Sequence, residues 1–423
     1  MIRSTRRRAS RRLAAVAVLS SLALVGAACG GDDDDDAGDT GDTAAPAATD
    51  ALTAPAATEA PAGTDAPSGG GIDLAALEAE LAEAAQVPVF EPQGPPFSVA
   101  ELAGKKIFSM PVASSLTGCD NMAKWVVEIA KSIGMTDSFY FQNDGGPAAW
   151  QDGMEQALNG GYDGVALVCG IDPNALTPQM EAARDAGIPV VDLHLADVSV
   201  PADPLIAGQT NGEFNRAMEL GVKGALVASG GEPIDAFMIT ANENPPSVGM
   251  EQTVKDTLAE LSPESTFTSQ NVPIPDWFGG AGQSTIDAAL VANPDLDAVF
   301  LSYDFMAPIV EGSIKANGSS AKIYSFGGDF PVVSTMTAPD TAYGSDMGPD
   351  FLWMAYSGAD QLFRAMAGEP VIPADQAFAP YRLWTPENAH EKTEEAGSGF
   401  GDEFLQGYYD LWLDNPATEP YTP

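Results

Sequence analysis

The sequence predicts an α/β protein of two lobes, each an open, doubly wound parallel sheet, joined by a hinge. From Lys105 onward, strand-like apolar runs alternate with amphipathic helical segments of about 10–15 residues, the pattern of βαβ units with helices on both sheet faces. This alternation occurs twice, before and after about Ile206. With 423 residues, 45% of them hydrophobic, the chain is long and apolar enough for two such units.

The first run predicts strands at 105–112, 137–144, 163–169 and 188–195. Helical spacing separates them at 120–134, 148–161 and 173–187, with Asp120 expected as the N-cap of the first helix. The second run predicts strands at 235–242, 265–272, 297–304 and 321–329, and helices at 247–261 and 282–293. Ligands bind such lobes at the carboxyl ends of the strands, so a cleft between the lobes is the expected site.

The chain begins with an arginine-rich stretch that contains no acidic residue and is followed by an apolar run, which predicts a signal peptide at 1–28. Small residues lead into Cys29, and the context VGAACG resembles the lipobox of bacterial lipoproteins, in which the cysteine carries the lipid. The alternative is an ordinary cleaved signal peptide with an incidental cysteine.

A low-complexity segment follows Cys29. Residues 30–72 are dominated by Gly, Asp, Ala, Thr and Pro, a composition that cannot bury enough surface to fold, so 29–72 is predicted to be a lipidated cysteine and a disordered acidic tether. Residues 73–104 are then expected to form an N-terminal helix, with an apolar stripe that includes Leu77 and Leu81, and a lead-in to the first strand.

The formal net charge of −41 excludes some classes of partner. Nucleic acids and anionic lipid surfaces need a basic footprint, which this chain lacks. Membrane contact is therefore expected only through the lipid anchor. The sequence also has no HExxH, no GxSxG and no paired metal-ligand spacing, so neither a metal site nor a hydrolase is predicted.

Several segments, in this order, resemble the type I periplasmic (extracytoplasmic) solute-binding proteins, in particular the ribose/galactose sugar-binding group. The resemblance covers about residues 105–390 and is carried by 162–176, 182–191, 292–307, 321–330, 347–371 and 381–389. It implies an N-terminal lobe of 105–207 plus 347–374 and a C-terminal lobe of 208–346 plus 375–423, the latter including the tail.

The resemblance implies an extracytoplasmic monomer that uses no cofactor and is not an enzyme. It would capture a small polar ligand, a sugar or a sugar-like molecule, between the lobes for the permease of an ABC-type importer. Two alternatives remain open: a receptor that presents its ligand to a membrane signalling partner, and a binder of a non-sugar solute such as an amine or a nucleoside.

Ligand-binding candidates follow from the same alignment, although most of the family's sugar-clamping residues are replaced here. The candidates are Ser114, Ser115, Asp172, His194, Trp277, Tyr303, Asp304, Asp329 and Asp346. Carboxylates suit hydroxyl or cationic groups, and aromatic faces suit the C–H face of a sugar or an amine. The competing interpretations are helix or turn capping for the aspartates, a structural role for His194 and core packing for Trp277.

A disulfide between Cys119 and Cys169 is predicted. With Cys29 carrying the lipid, these two cysteines remain in an exported chain, where disulfides persist. In the strand order of this fold they follow neighbouring strands, and both align with ligand-contact positions of the sugar-binding relatives. The alternative is two buried, unreactive thiols.

Overall fold

The structure, a computed structural model, describes residues 72–423. The predicted signal peptide, Cys29 and nearly all of the predicted tether lie outside the described residues. The strands in this part of the chain are β1 (Phe97–Ser98), β2 (Ile107–Pro111), β3 (Phe139–Tyr140), β4 (Gly164–Val168), β5 (Val190–Asp197), β6 (Gly208–Gly212), β7 (Asp235–Thr240), β8 (Thr266–Asn271), β9 (Ala298–Leu301), β10 (Lys322–Phe326), β11 (Tyr343–Pro349), β12 (Tyr381–Trp384) and β13 (Trp412–Leu413).

Helices connect these strands and cover the sheets. They are α1 (Leu74–Ala84), α2 (Thr117–Ser132), α3 (Pro147–Asn159), α4 (Thr177–Asp185), α5 (Phe214–Ala228), α6 (Pro246–Leu261), α7 (Ile274–Asp276), α8 (Gly282–Ala292), α9 (Ala307–Asn317), α10 (Phe330–Val333), α11 (Phe351–Ala367) and α12 (Glu403–Leu411). Among the described residues, none of the helices combines the length and apolarity needed to cross a membrane.

Two sheets form the centres of the two lobes. The first has the order β3-β2-β4-β5-β6, with every pair parallel. The second has the order β12-β11-β10-β9-β7-β8, in which only β12 is antiparallel to its neighbour. Every residue of the central strands β4 and β9 is buried, as their apolar sequences require when helices cover both faces.

Lobe boundaries differ from those expected at three places. The strand Gly208–Gly212 pairs with β5, so it ends the first sheet rather than beginning the second lobe. Residues 347–349 belong to β11 of the second sheet, and the return to the first lobe starts with α11. The tail also lies on the first lobe, because α12 buries aromatic rings against α11; the rings of Phe404 and Trp353 stack with centroids 4.6 Å apart.

The first helix of the first lobe begins earlier than the sequence suggests. It starts at Thr117 with Leu116 as its N-cap residue, which makes no side-chain cap. Asp120, expected as the cap, lies in the first turn instead. Its carboxylate accepts hydrogen bonds from Lys124 and from the Tyr140 hydroxyl, and these contacts occupy the oxygens that would otherwise cap the helix.

The N-terminal helix packs on the second lobe rather than on the first. Asp73 caps α1, and Leu77 is buried against α5, while Glu80 pairs with Lys223 and Arg216. The chain then crosses to the first lobe, where β1 pairs with β13. Residues 85–96, which make this crossing, are called the N-terminal strap below.

Buried arginines hold both ends of the N-terminal strap. On the second lobe, Arg382 donates through Nε to the carbonyl of Ala85 at 2.9 Å. On the first lobe, Arg364 donates to the carbonyls of Pro95 at 3.0 Å and Gln93 at 3.4 Å. Only 1% of Arg364 and 3% of Arg382 are exposed, so the strap is part of the folded body rather than a loose lead-in.

Candidate functional site between the lobes

The carboxyl ends of both sheets meet at one place. His194, near the end of β5, inserts its ring among aromatic side chains of the second lobe. Its ring centroid lies 4.5 Å from that of Phe214 and 5.9 Å from that of Phe326, and its Nδ1 is 3.3 Å from the Tyr381 hydroxyl. His194 of the first lobe is therefore in direct contact with the second lobe, at the side where a cleft between the lobes is expected.

The imidazole ring of His194 carries no charge in the folded protein at neutral pH. Burial lowers the pKa of its imidazole to about 3, so the ring is uncharged at neutral pH and bonds as a neutral donor or acceptor. Its φ of 62° is unusual for a residue with a side chain, and it turns the ring out of the strand toward the second lobe. Gly212 makes room here, because a Cβ at that position would overlap the Tyr381 hydroxyl.

Polar groups line the first-lobe edge after β2. The Ser114 hydroxyl lies 2.9 Å from that of Tyr140, and it accepts a hydrogen bond from the backbone of Asn143. Asn143 is buried and donates to the carbonyl of Pro111 at 2.8 Å, which ties the loop after β2 to the loop after β3. Ser115, next to Ser114, is exposed on the same loop.

A disulfide joins two of these edge positions. Cys119 in the first turn of α2 is bonded to Cys169 at the end of β4, with Cα atoms 5.8 Å apart, which is the pairing that the sequence predicted. The chain turns sharply after β4, since Cys169 and Gly170 both have positive φ. Asp172, exposed beyond this turn, accepts a hydrogen bond from the backbone of Asn174 and caps the 3-10 turn at Pro173–Leu176.

Asp192 was not predicted from the sequence. It lies inside β5, none of its surface is exposed, and no side chain donates a hydrogen bond to its carboxylate oxygens. Burial raises its pKa well above the usual range; the nearby backbone N–H of Gly170 opposes this shift, and the charges of Asp203 and Asp172 add to it, so the neutral acid is favoured. In the sequence, Asp192 stands inside a run of apolar strand residues, and nothing in that pattern indicates a buried carboxyl group with a raised pKa.

Three predicted aspartates of the second lobe do lie together. Asp304 follows β9 and accepts a hydrogen bond from the backbone of Asp329 at 2.9 Å. Asp346 in β11 accepts from the Ser325 hydroxyl and from the backbone of Gly328, both at 2.8 Å. Asp304 and Asp346 are buried, so in this conformation their carboxylates organise the loops at the strand ends.

Burial and mutual repulsion govern the charge of this cluster. Burial first, and then the charges of Asp329 and Asp346, raise the pKa of Asp304 well above its usual range. Burial also raises the pKa of Asp346, to about 6, and that of Asp329, while the Lys392 ammonium opposes both shifts. The second-lobe edge therefore holds protons at a pH where exposed aspartates have lost them.

An aromatic row runs along the same edge of the second sheet. It consists of Tyr381, Phe326, Tyr303, Phe305 and Phe278, and successive ring centroids are 5.7, 6.1, 5.9 and 5.8 Å apart. The row starts at β12, passes the ends of β10 and β9, and ends in the helical turn between α7 and α8. Tyr381 and Phe326 are buried, Tyr303 and Phe305 are half-buried, and Phe278 is 67% exposed.

Trp277 does not join this row. None of its surface is exposed, and it packs so closely on α8 that a Cβ at Gly282 would overlap its ring. Core packing, the alternative interpretation, is therefore what the structure shows for Trp277. Its neighbour Phe278 is the exposed aromatic residue, and neither Phe278 nor Phe305 was predicted as a site residue.

Within residues 72–423, no group of three or more side chains converges in a way that would hold a metal ion. His194 and Tyr303 both lie next to Phe326, and the loops that carry Asp304, Asp329 and Asp346 are joined by hydrogen bonds. Ser114 and Ser115 lie on the first-lobe loop after β2. Asp172 lies on the first-lobe loop as a turn cap, and Trp277 lies in the core.

Comparison with known protein families agrees with the observed two-lobed architecture. A family model described as the periplasmic binding protein domain matches residues 107–370. No protein of curated function matches the sequence.

Solved structures share the fold at low identity. A sugar ABC transporter protein from Yersinia enterocolitica subsp. enterocolitica is 18% identical, with a TM-score of 0.60 over 78% of this chain and 100% of that one. A solute binding protein of an ABC transporter from Mycobacterium smegmatis, with bound glycerol, is 18% identical, with a TM-score of 0.57 over 68% and 96%. A periplasmic solute binding protein from Actinobacillus succinogenes, with bound D-allose, is 15% identical, with a TM-score of 0.56 over 68% and 100%.

The predicted fold class is confirmed by these structures, which have the same two-lobed α/β architecture. The family model spans more than half of the sequence, and its matched region includes both sheets apart from β12. On this evidence, the chain belongs to the periplasmic binding protein family.

Proposed function

We propose that this protein is an extracytoplasmic substrate-binding protein that captures a sugar or sugar-like molecule between its lobes and delivers it to the permease of an ABC importer. The observation that carries the proposal is the meeting of the two lobes at the carboxyl ends of their sheets, where His194 of the first lobe packs beside the aromatic row of the second. Aromatic faces take up the C–H faces of sugars, and neutral polar groups bond their hydroxyls. Structural neighbours described with bound glycerol, allitol and D-allose support this ligand class.

The proposed role of the protein is to bind its ligand without catalysing a reaction. Near the cleft, His194 is held neutral in an aromatic enclosure, and Asp304 and Asp346 bond to their own loops. Such groups fix the shape of a binding site and do not activate a nucleophile. In this proposal the protein acts as a monomer, uses no cofactor and meets the membrane only through its lipid anchor.

A ligand screen tests the proposed function. Thermal-shift measurements with sugars, polyols, nucleosides and amines, followed by calorimetry on each hit, are expected to find saturable binding of a sugar or polyol. Tyr303→Ala removes an accessible ring of the cleft edge and is expected to weaken that binding about tenfold. Saturable binding of an amine or a nucleoside alone would contradict the ligand class.

The anchor is tested separately. The predicted signal peptide ends immediately before Cys29, and a lipid on that cysteine would hold the protein at the membrane. Cys29→Ser is therefore expected to release the mature protein into the soluble fraction. Lys255→Gln, a change at an exposed position of the folded body, serves as the control and should leave membrane retention unchanged. Equal retention of the wild type and Cys29→Ser would contradict lipidation.

A further inference from the structure

The outer end of the aromatic row, Phe278, is open to solvent, where a ligand can reach its ring. Phe278 has 67% of its surface exposed, although burying a phenylalanine ring is favourable. Trp277, the residue before it, is fixed in the core, and Gly279 and Gly280 follow it with no atom near their Cβ positions. The ring is thus held outward from a rigid base, beside a segment with room to move.

The geometry of the outer rings gives them a continuous surface. Tyr303 and Phe305 are nearly parallel, with an angle of 8° between their planes and centroids 5.9 Å apart. Phe305 and Phe278 are 24° from parallel with centroids 5.8 Å apart. Parallel rings at this spacing are displaced sideways, so each leaves part of its face uncovered. Together they form a stepped surface three rings long.

This stepped surface leads away from the contact between His194 and the second lobe. Its inner end, Tyr303, contacts Phe326, which is covered by His194 and Phe214 and offers a ligand no free face. Its outer end, Phe278, is 67% exposed. The stepped surface therefore ends at a buried ring on its inner side and at a solvent-exposed ring on its outer side.

Polar groups accompany the rings. The hydroxyl of Tyr303 lies beside Asn244, a half-buried residue of the segment after β7, and beside Ser247, which is fully buried and fixes the hydroxyl from behind. A hydroxyl and an amide next to aromatic faces suit a ligand that alternates C–H faces with hydroxyls, which is the character of a saccharide.

We infer that the cleft binds a saccharide of more than one ring, with its inner ring at Tyr303 and its following rings on Phe305 and Phe278. This rests on the proposed function and specifies its substrate class. One sugar ring covers about one aromatic ring, so a monosaccharide at Tyr303 would leave Phe278 unused.

The experiment compares matched saccharide series by calorimetry: xylose, xylobiose and xylotriose; glucose, cellobiose and cellotriose; and glucose, maltose and maltotriose. The expected result is that the di- or trisaccharide of one series binds at least about tenfold tighter than its monosaccharide. Phe278→Ala should weaken the longer ligand about tenfold and change monosaccharide affinity less than about twofold.

Val291→Ala is the matched control. Val291 is 73% exposed on the same lobe but lies on α8, outside the aromatic row, so its removal should leave both affinities unchanged. Equal affinity for all lengths, or an unchanged longer ligand in Phe278→Ala, would overturn the inference while leaving the proposed function intact. Absence of binding by every saccharide would overturn the inference, and absence of binding by the polyols of the ligand screen as well would remove the proposed function with it.

Discussion

Individual side chains at the cleft edge show opposite responses to burial. The pKa of Asp346 is raised to about 6, because burial disfavours its charged form, while the same effect lowers the pKa of His194 to about 3. Both residues are therefore neutral in the folded protein over part of the acidic range. As the pH falls, the raised pKa of Asp346 increases the free energy of unfolding, whereas the lowered pKa of His194 decreases it. Each variant must therefore be compared with the wild type at the same pH.

Asp346→Asn tests the carboxyl group. The folded pKa of about 6 exceeds the usual value of 3.8, so the native state binds a proton more readily than the unfolded state between these values. The contribution of Asp346 is complete below about pH 4 and is lost as the pH rises through about 6. Relative to wild type, Asp346→Asn should therefore be more stable at pH 7 than at pH 4, as measured by urea unfolding.

Asp295→Asn provides the control, because it makes the same change of side chain at an exposed position of the same lobe. Asp304 and Asp329 shift in the same direction as Asp346 and remain in the variant, so part of the wild-type pH dependence should persist. A stability difference for Asp346→Asn that is equal at both pH values would contradict the raised pKa.

The sequence could predict some of these residues and not others. Cys119 and Cys169 were predictable because their strands are neighbours in the fold that the sequence resembles and because Cys29 was expected to carry a lipid. Trp277 and Phe278 were not separable, since adjacent aromatic residues in a short loop carry no periodicity to tell which ring is buried. Phe305 was missed for a similar reason: it lies in a single 3-10 turn after β9.

Among the elements, α2 and β4 are joined covalently by the disulfide. The bond closes a loop with a sequence separation of 50 residues, which restricts the unfolded chain. In the chain-entropy model this stabilises the fold by about 4 kcal/mol. In a Cys29→Ser background, the variant Cys119→Ser/Cys169→Ser should lose about that much unfolding free energy in urea titrations.

A reductant supplies the second arm of the disulfide measurement. Dithiothreitol should lower the stability of the Cys29→Ser protein toward that of the variant lacking both other cysteines, and it should not affect the variant itself. Two titratable thiols in the unfolded, non-reduced Cys29→Ser protein would show that the bond does not form.

The N-terminal strap depends on two arginines with different partners. Arg382 bonds to Ala85, Gly399 and Glu391, and so connects α1 to the second lobe. Arg382→Gln should cost about 2 kcal/mol, because hydrogen bonds from a charged donor are lost and carbonyls are left unpaired. Hydrogen exchange should become faster in residues 74–84, where α1 lies.

Lys255→Gln is the matched control for the strap, since Lys255 makes an exposed ion pair with Glu251 on the same lobe. Exposed pairs contribute little, so exchange in α1 should stay as in wild type. Unchanged exchange in α1 of Arg382→Gln would show that Leu77 and the Glu80 ion pairs hold the helix without the arginine.

At the level of elements, the alternating strands and helices were predictable because central parallel strands are continuous apolar runs. The strand Gly208–Gly212 was not, since its sequence GQTNG is polar and its pairing with β5 comes from tertiary structure. The position of the tail on the first lobe also depends on tertiary contacts, namely the packing of Phe404 on Trp353 and the hydrogen bond from Trp412 to Asp360.

For the whole molecule, the connections between the lobes determine how they move. The chain crosses between them after β6, after β11, after α11 and before α12, and also through the N-terminal strap. The crossings after β11, after α11 and before α12 adjoin β11 or β12 in the chain, whereas β8 lies at the far edge of the second sheet. A hinge on one side of the cleft allows the far edges to separate while His194 stays near Tyr381.

Ligand binding is expected to bring the far edges together. A ligand that contacts both lobes favours the closed arrangement by its extra contacts there, which is hinge closure. Once a ligand is known, small-angle scattering at saturation should give a smaller radius of gyration than the free protein. Tyr303→Ala should reach the same closed value, but only at about tenfold higher ligand concentration, since it loses contacts in the complex rather than the hinge. Saturable binding by calorimetry with no change in scattering would mean that the cleft is already closed without ligand.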